Sequence, residues 1–148
     1  MLRYRSTGEL HKDFHRLTCN TLHYLLENFG EDAIKEVICH TAQDVYRQMH
    51  EKLCAGDASE LLEFWEYYMT RENASFDIEQ FTGGIRMVVR DCPMLRHLVK
   101  TGAGADTIVC HATTIFNAAL CENSPFISSL EKTGEFSCIQ TVKRKVTK

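Results

Sequence analysis

Phe76-Asp77-Ile78-Glu79-Gln80-Phe81-Thr82-Gly83-Gly84-Ile85-Arg86-Met87-Val88-Val89 is the stretch on which the fold turns. Phe76, Ile78 and Phe81 are set among polar residues, and Ile85, Met87 and Val89 alternate again, the period of a strand with one buried face. Gly83-Gly84 between them tolerates positive φ, so the stretch reads as a β-hairpin. It is the first strand signal in the chain.

Everything upstream has helical spacing. Leu10, Phe14, Leu17, Leu22, Leu25, Leu26 and Phe29 predict an amphipathic helix over about 9–29, stopped by Gly30. Ala33, Ile34, Val37, Ile38, Ala42, Val45, Met49 and Leu53 predict a second long helix ending near Gly56, antiparallel to the first. Asp57 or Ser59 can cap a third helix carrying Leu61, Leu62, Trp65, Tyr68 and Met69 and ending before Asn73.

Downstream of the hairpin, Cys92-Pro93 opens a short helix with Met94, Leu95, Leu98 and Val99 that stops at Gly102. Asp106 is the expected N-cap of a helix over 107–120, closed off by Ser124-Pro125. Two last strands, around 126–130 and 136–142, are joined through Lys132-Thr133-Gly134-Glu135. The order predicts an α+β domain: long N-terminal helices packed on an antiparallel sheet made of two hairpins, with two shorter helices between them.

The 148 residues are expected to form a single domain, with about 143–148 (Lys143, Arg144, Lys145, Lys148) a basic tail. Seventeen Lys and Arg against 20 Asp and Glu give a net charge of −3, so no global positive field favours nucleic acid or anionic lipid. No apolar run reaches the length of a membrane span, and a cytoplasmic location is expected. Seven scattered cysteines favour free thiols over a disulfide framework.

Three features could carry chemistry. On the helix after Asp106, Ile108, Val109, Ala112, Ile115, Phe116, Ala119 and Leu120 form an apolar arc, which leaves Cys110, Thr114, Asn117 and Cys121 on the opposite face. That face can line a pocket, or the helix can be sandwiched between two layers. Cys92 falls at a helix N-terminus, where N–H groups and the helix dipole favour a thiolate. His11, His15, Cys19 and His23 are spaced by four, but the row winds around the helix, so at most His11 and His15 are expected to act together on a metal. A metal held by thiol or imidazole groups is left open by this inventory. The familiar phosphate-loop, HExxH and GxSxG signatures are absent from the sequence.

From Cys92 to Val142 the features resemble the L-2-amino-thiazoline-4-carboxylic acid hydrolase family. The similar parts are Asp91-Cys92-Pro93 ending a strand, a short helix with Leu98, a second helix carrying Cys110, and Leu130-Glu131-Lys132-Thr133-Gly134-Glu135-Phe136-Ser137-Cys138 leading into the last strand. The Phe29-Gly30-Glu31 junction is similar as well. The closing glycine-to-cysteine strand also resembles the end of 4-vinyl reductase-type domains, which bind small molecules.

The first resemblance implies a small hydrolase that opens a cyclic amidine or similar C–N bond, delivering water to the amidine carbon and a proton to the departing atom. It places Cys92, Cys110 and His111 as catalytic candidates, and His15, Asn117 and Cys138 as binding or orienting candidates. The second implies a non-catalytic ligand-binding or sensory module with an apolar pocket walled by Phe14, Trp65 and Phe116. The expected partner is a small-molecule substrate or ligand rather than nucleic acid or membrane. A homodimer through the long helices is the third reading.

Overall fold

The computed structural model describes residues 13–146, so His11 and Lys148 lie outside it. The chain forms helices α1 (Asp13–Phe29), α2 (Glu31–His40), α3 (Arg47–Cys54) and α4 (Ser59–Arg71), then strands β1 (Ser75–Phe81) and β2 (Gly84–Asp91). Helices α5 (Pro93–Lys100) and α6 (Ile108–Leu120) follow, and strands β3 (Phe126–Lys132) and β4 (Cys138–Arg144) close the domain. The α+β architecture read from the sequence is the one observed.

Gly30 separates the first two helices because its φ of +83° is open to glycine at little cost, and its N–H closes the end of α1 on the carbonyls of Leu25 and Leu26. The expected single helix over 33–53 is instead two, broken by one π-helical turn at Thr41–Val45. There the Tyr46 N–H reaches back five residues to the Thr41 carbonyl, and the Thr41 hydroxyl donates to the Val37 carbonyl at 2.8 Å. The wider turn re-phases the apolar stripe, so Ala42, Met49 and Leu53 are all buried. Tyr46, at the end of that turn, packs edge-on against both Phe64 and Phe116, with ring centroids 5.3 Å apart in each case.

Helix α4 starts where the Asp57 carboxylate accepts the Ser59 N–H at 2.9 Å. It ends where Asn73 takes a left-handed conformation and the Ala74 N–H bonds the Met69 carbonyl, a C-terminal closure that hands the chain to β1. All strands pair antiparallel, in the order β1-β2-β4-β3, so the two hairpins join through β2 and β4. Ile85 faces Val142, Met87 faces Gln140 and Val89 faces Cys138, and all six are buried on the helix-covered side. On the other face Arg86 pairs with Glu79 and Arg90 with Asp77.

Two cores result. One packs α3, α4 and the end of α6 on the sheet through Met49, Leu53, Leu61, Trp65, Leu120 and Val142. The second joins α1, α2, α5 and the start of α6 through Leu22, Ile34, Leu95, Leu98 and Val109. Each buried leucine among these is worth about 2 kcal/mol of transfer free energy. Cys92 and Phe116 touch both cores. The basic C-terminal segment begins inside the sheet: Lys143 and Arg144 end β4, Arg144 lies over the Phe126 ring and donates to the Gly56 carbonyl, and the Lys145 ammonium donates to the Ser124 carbonyl. Among the described residues, no helix is long and apolar enough to cross a membrane.

Candidate functional site

Cys92 is the N-cap of α5, with Pro93 at the first helical position, where its lack of an N–H costs nothing. The Cys92 N–H donates to the Phe136 carbonyl at 2.7 Å, drawing the β3–β4 connection over the start of α5. The Arg96 guanidinium lies 3.9 Å from the centre of the Phe136 ring and also binds Asp91 at 2.5 Å, which fixes that cover from the side. Cys138 enters from the first position of β4, opposite both Val89 and Lys132. Cys110 comes from the first turns of α6, packed on the second core.

The Cys92, Cys110 and Cys138 thiols lie close enough for charge on one to raise the pKa of another, Cys110 acting on Cys92 and both acting on Cys138. Burial is the largest influence on all three and pushes each up, Cys138 to about 11. The helix N-terminus does act on Cys92 through the Leu95 and Met94 N–H groups, but burial outweighs it. The expected thiolate is therefore a protonated thiol at neutral pH. Lys132 is the shared cation, and its charge favours the thiolate form at each of the three. Its ammonium donates to the Glu135 carbonyl at 2.9 Å.

Asn117 supports this group from behind. It is 3% exposed and donates to Gln140 Oε1 at 2.8 Å, and the Gln140 amide in turn hydrogen-bonds the Cys138 thiol. The helical-wheel reading placed Asn117 away from the apolar arc, yet α6 is sandwiched between layers. Its solvent stripe is Thr107, His111, Thr114 and Ala118. His111 therefore sits outside, its Nε2 held by Glu31 of α2. Cys121 belongs to a different neighbourhood, with Cys54, Ser128 and Lys145, and burial raises it to about 11.

His15 is 5% exposed and donates from Nε2 to the Glu72 carboxylate at 2.7 Å, with the His97 ring 5.9 Å away. It ties α1 to the end of α4 and is engaged there rather than with the thiols. From the four-spaced row, it is Cys19 and His23 that come together, on Asp106. Cys19 Sγ and His23 Nε2 both donate to Asp106 Oδ2, at 3.7 Å and 2.5 Å, while Oδ1 accepts the Ile108 N–H at 3.0 Å. Asp106 was legible as a cap, and it lies one residue before the cap position, Thr107. Burial pushes its carboxyl up, but the His23 hydrogen bond and the Ile108 N–H hold it below the usual range, and its charge reaches Cys110.

Lys132, Gln140, Asp106 and His23 are thus the site residues that sequence reasoning missed. The four-residue step from Cys19 to His23 was visible, but its partner lies 83 positions beyond His23. Of the pocket walls expected for a binding module, Phe14 is 60% exposed, while Trp65 lies in the sheet-side core and Phe116 packs against that same core and on Tyr46 and Phe64. A surface groove of about 580 Å³ runs between α2, α6 and β3, past Lys35, Ile115, Phe126 and Lys145; Thr114 and Cys121 of the α6 face line it, and Cys92, Cys110, His111, His15, Asn117 and Cys138 do not. No protein-family model, curated protein or solved structure matches the chain.

Proposed function

We propose that the protein is a small hydrolase that opens a cyclic amidine, acting where α5, α6 and β4 bring Cys92, Cys110 and Cys138 together. The observation that carries the reading is the grouping of Cys92 at the N-cap of α5, Cys110 in the first turn of α6 and Cys138 at the start of β4 around Lys132, whose charge acts on all three thiols, with the ionised Asp106 acting on Cys110. Burial keeps the thiols protonated at neutral pH, so each holds a proton that a leaving atom can take. Lys132 supplies a positive charge for a carboxylate on the substrate.

In this reading the water oxygen bonds to the amidine carbon while the Asp106–His23 pair accepts its proton. The bond from that carbon to the ring heteroatom breaks, and the heteroatom leaves with the Cys110 proton. Asp106–His23 then returns its proton to Cys110, so one water is consumed and the protein is unchanged. His111, held by Glu31 at the surface, is not needed.

The test is turnover of L-2-amino-thiazoline-4-carboxylate, followed by the appearance of the product thiol. Cys110→Ser is expected to lower kcat/KM at least about 100-fold, the scale of a lost proton donor, with His111→Gln close to the parent. No turnover by the parent chain, or full turnover by Cys110→Ser, sinks the reading.

A further inference from the structure

Cys19 and His23 stand one helical turn apart on α1, and the loop before α6 brings Asp106 against both. One ligand atom from each lies within 4.8 Å of the other two. Two hydrogen bonds converge on a single oxygen, Oδ2, while the Ile108 N–H holds the other carboxylate oxygen and so fixes which lone pairs face the pair. A place where an S–H and an N–H aim at one carboxylate oxygen is a place where one cation can replace both hydrogens.

We propose that Cys19, His23 and Asp106 form a binding site for a divalent transition-metal ion of the zinc and cobalt type, with a fourth position open. Thiolate, imidazole and carboxylate are the donor set such ions accept, and three protein ligands plus a free position is their usual catalytic arrangement. Tetrahedral bonds of about 2.0–2.3 Å put ligand atoms roughly 3.3–3.8 Å apart. The sulfur-to-oxygen separation is already 3.7 Å, and the imidazole must retreat from 2.5 Å by less than about 1 Å.

The charges balance as well. The thiol gives its proton to solvent, and the imidazole moves its proton to Nδ1 so that the Nε2 lone pair faces the ion. The thiolate and the carboxylate then neutralise a dication. Cys19 is buried, whereas the His23 and Asp106 side chains are 42% and 24% exposed, so the ion has a route from solvent to a sulfur already in the core. Burial, then the Asp106 carboxylate, push the Cys19 thiol up in the ion-free chain, against a smaller opposing pull from Arg16, whose guanidinium donates to the Thr101 carbonyl.

This site shares His23 and Asp106 with the proton-accepting pair of the hydrolase reading and, with an ion bound, takes that pair out of proton transfer; its test uses the ion alone and does not depend on turnover. The full chain is titrated with Co²⁺ and the spectrum followed. One tetrahedral ion per chain with a thiolate-to-cobalt charge-transfer band is expected. Cys19→Ala is expected to remove the band, and His23→Gln, at a half-exposed position that leaves the core intact, to weaken Co²⁺ binding at least 10-fold. A variant with Cys92, Cys110 and Cys138 all changed to Ser is expected to keep the band. A saturated spectrum with no thiolate band, His23→Gln binding like the parent, or a band that survives Cys19→Ala and vanishes in the triple variant would each overturn the proposal.

Discussion

Asn117 shows how the layers around a helix, and not its own periodicity, decide what a polar residue on it meets. Its position off the apolar arc marked it for a binding wall, but in the folded chain it is buried and its amide reaches Gln140 rather than solvent. Replacing it with Ala leaves Gln140 Oε1 without that donor, so Asn117→Ala is expected to cost about 1–3 kcal/mol in urea unfolding, more than a solvent-facing change such as Thr114→Ala. Equal losses for the two variants would show that the buried amide pair contributes nothing. The places of Cys92, Cys110 and Cys138 at or near the starts of α5, α6 and β4 were readable because their flanking elements were clear. His111 was not, because its direction depends on which layers enclose α6, and its neighbour Glu31 is 80 positions away. Lys132 had no signal at all, since a lysine at a strand end is ordinary until Cys138 is placed opposite it.

At the scale of elements, the helix and strand boundaries followed local chemistry closely. Gly30, the Asp57 carboxylate, Pro93 and the Gly83-Gly84 turn act on the residues beside them, and such signals survive folding. The π turn at Thr41–Val45 escaped because its cause is tertiary: Tyr46 must meet Phe64 and Phe116 while Ala42 and Met49 stay buried. Gly84 carries a second requirement beyond its turn. A Cβ there would stand 2.4 Å from the Val142 carbonyl oxygen and 2.9 Å from the Lys143 Cα, in the strand next door. Gly84→Ala is therefore expected to push β2 away from β4, costing about 1–3 kcal/mol and weakening amide exchange protection along that pairing. Unchanged protection at Val142 would count against this.

Across the whole molecule, the order β1-β2-β4-β3 was beyond reach of the sequence, because nothing local says that the second hairpin adds through β4 rather than β3. The thiols of Cys121 and Cys138 give the entire fold a pH limit. Each ionises near pH 11 in the folded chain, against about 8.5 for an unfolded cysteine. Above the lower value the unfolded chain holds fewer protons than the folded one, so stability is intact below about pH 8.5 and falls as pH rises toward 11. The loss is on the order of 1–2 kcal/mol per thiol, allowing for partial solvent screening. Guanidinium unfolding at two pH values should show a smaller alkaline loss in a Cys121→Ala/Cys138→Ala variant than in the parent, and equal losses would refute the assignment.

The two cores meet at Cys92 and Phe116, which pack against both. A side chain shared in this way acts as a rivet, because neither half can slide over the other without shearing contacts on both of its sides. Cys92 is such a rivet and also one of the three thiols, so strain arising in the helical layer or in the sheet arrives at the same sulfur.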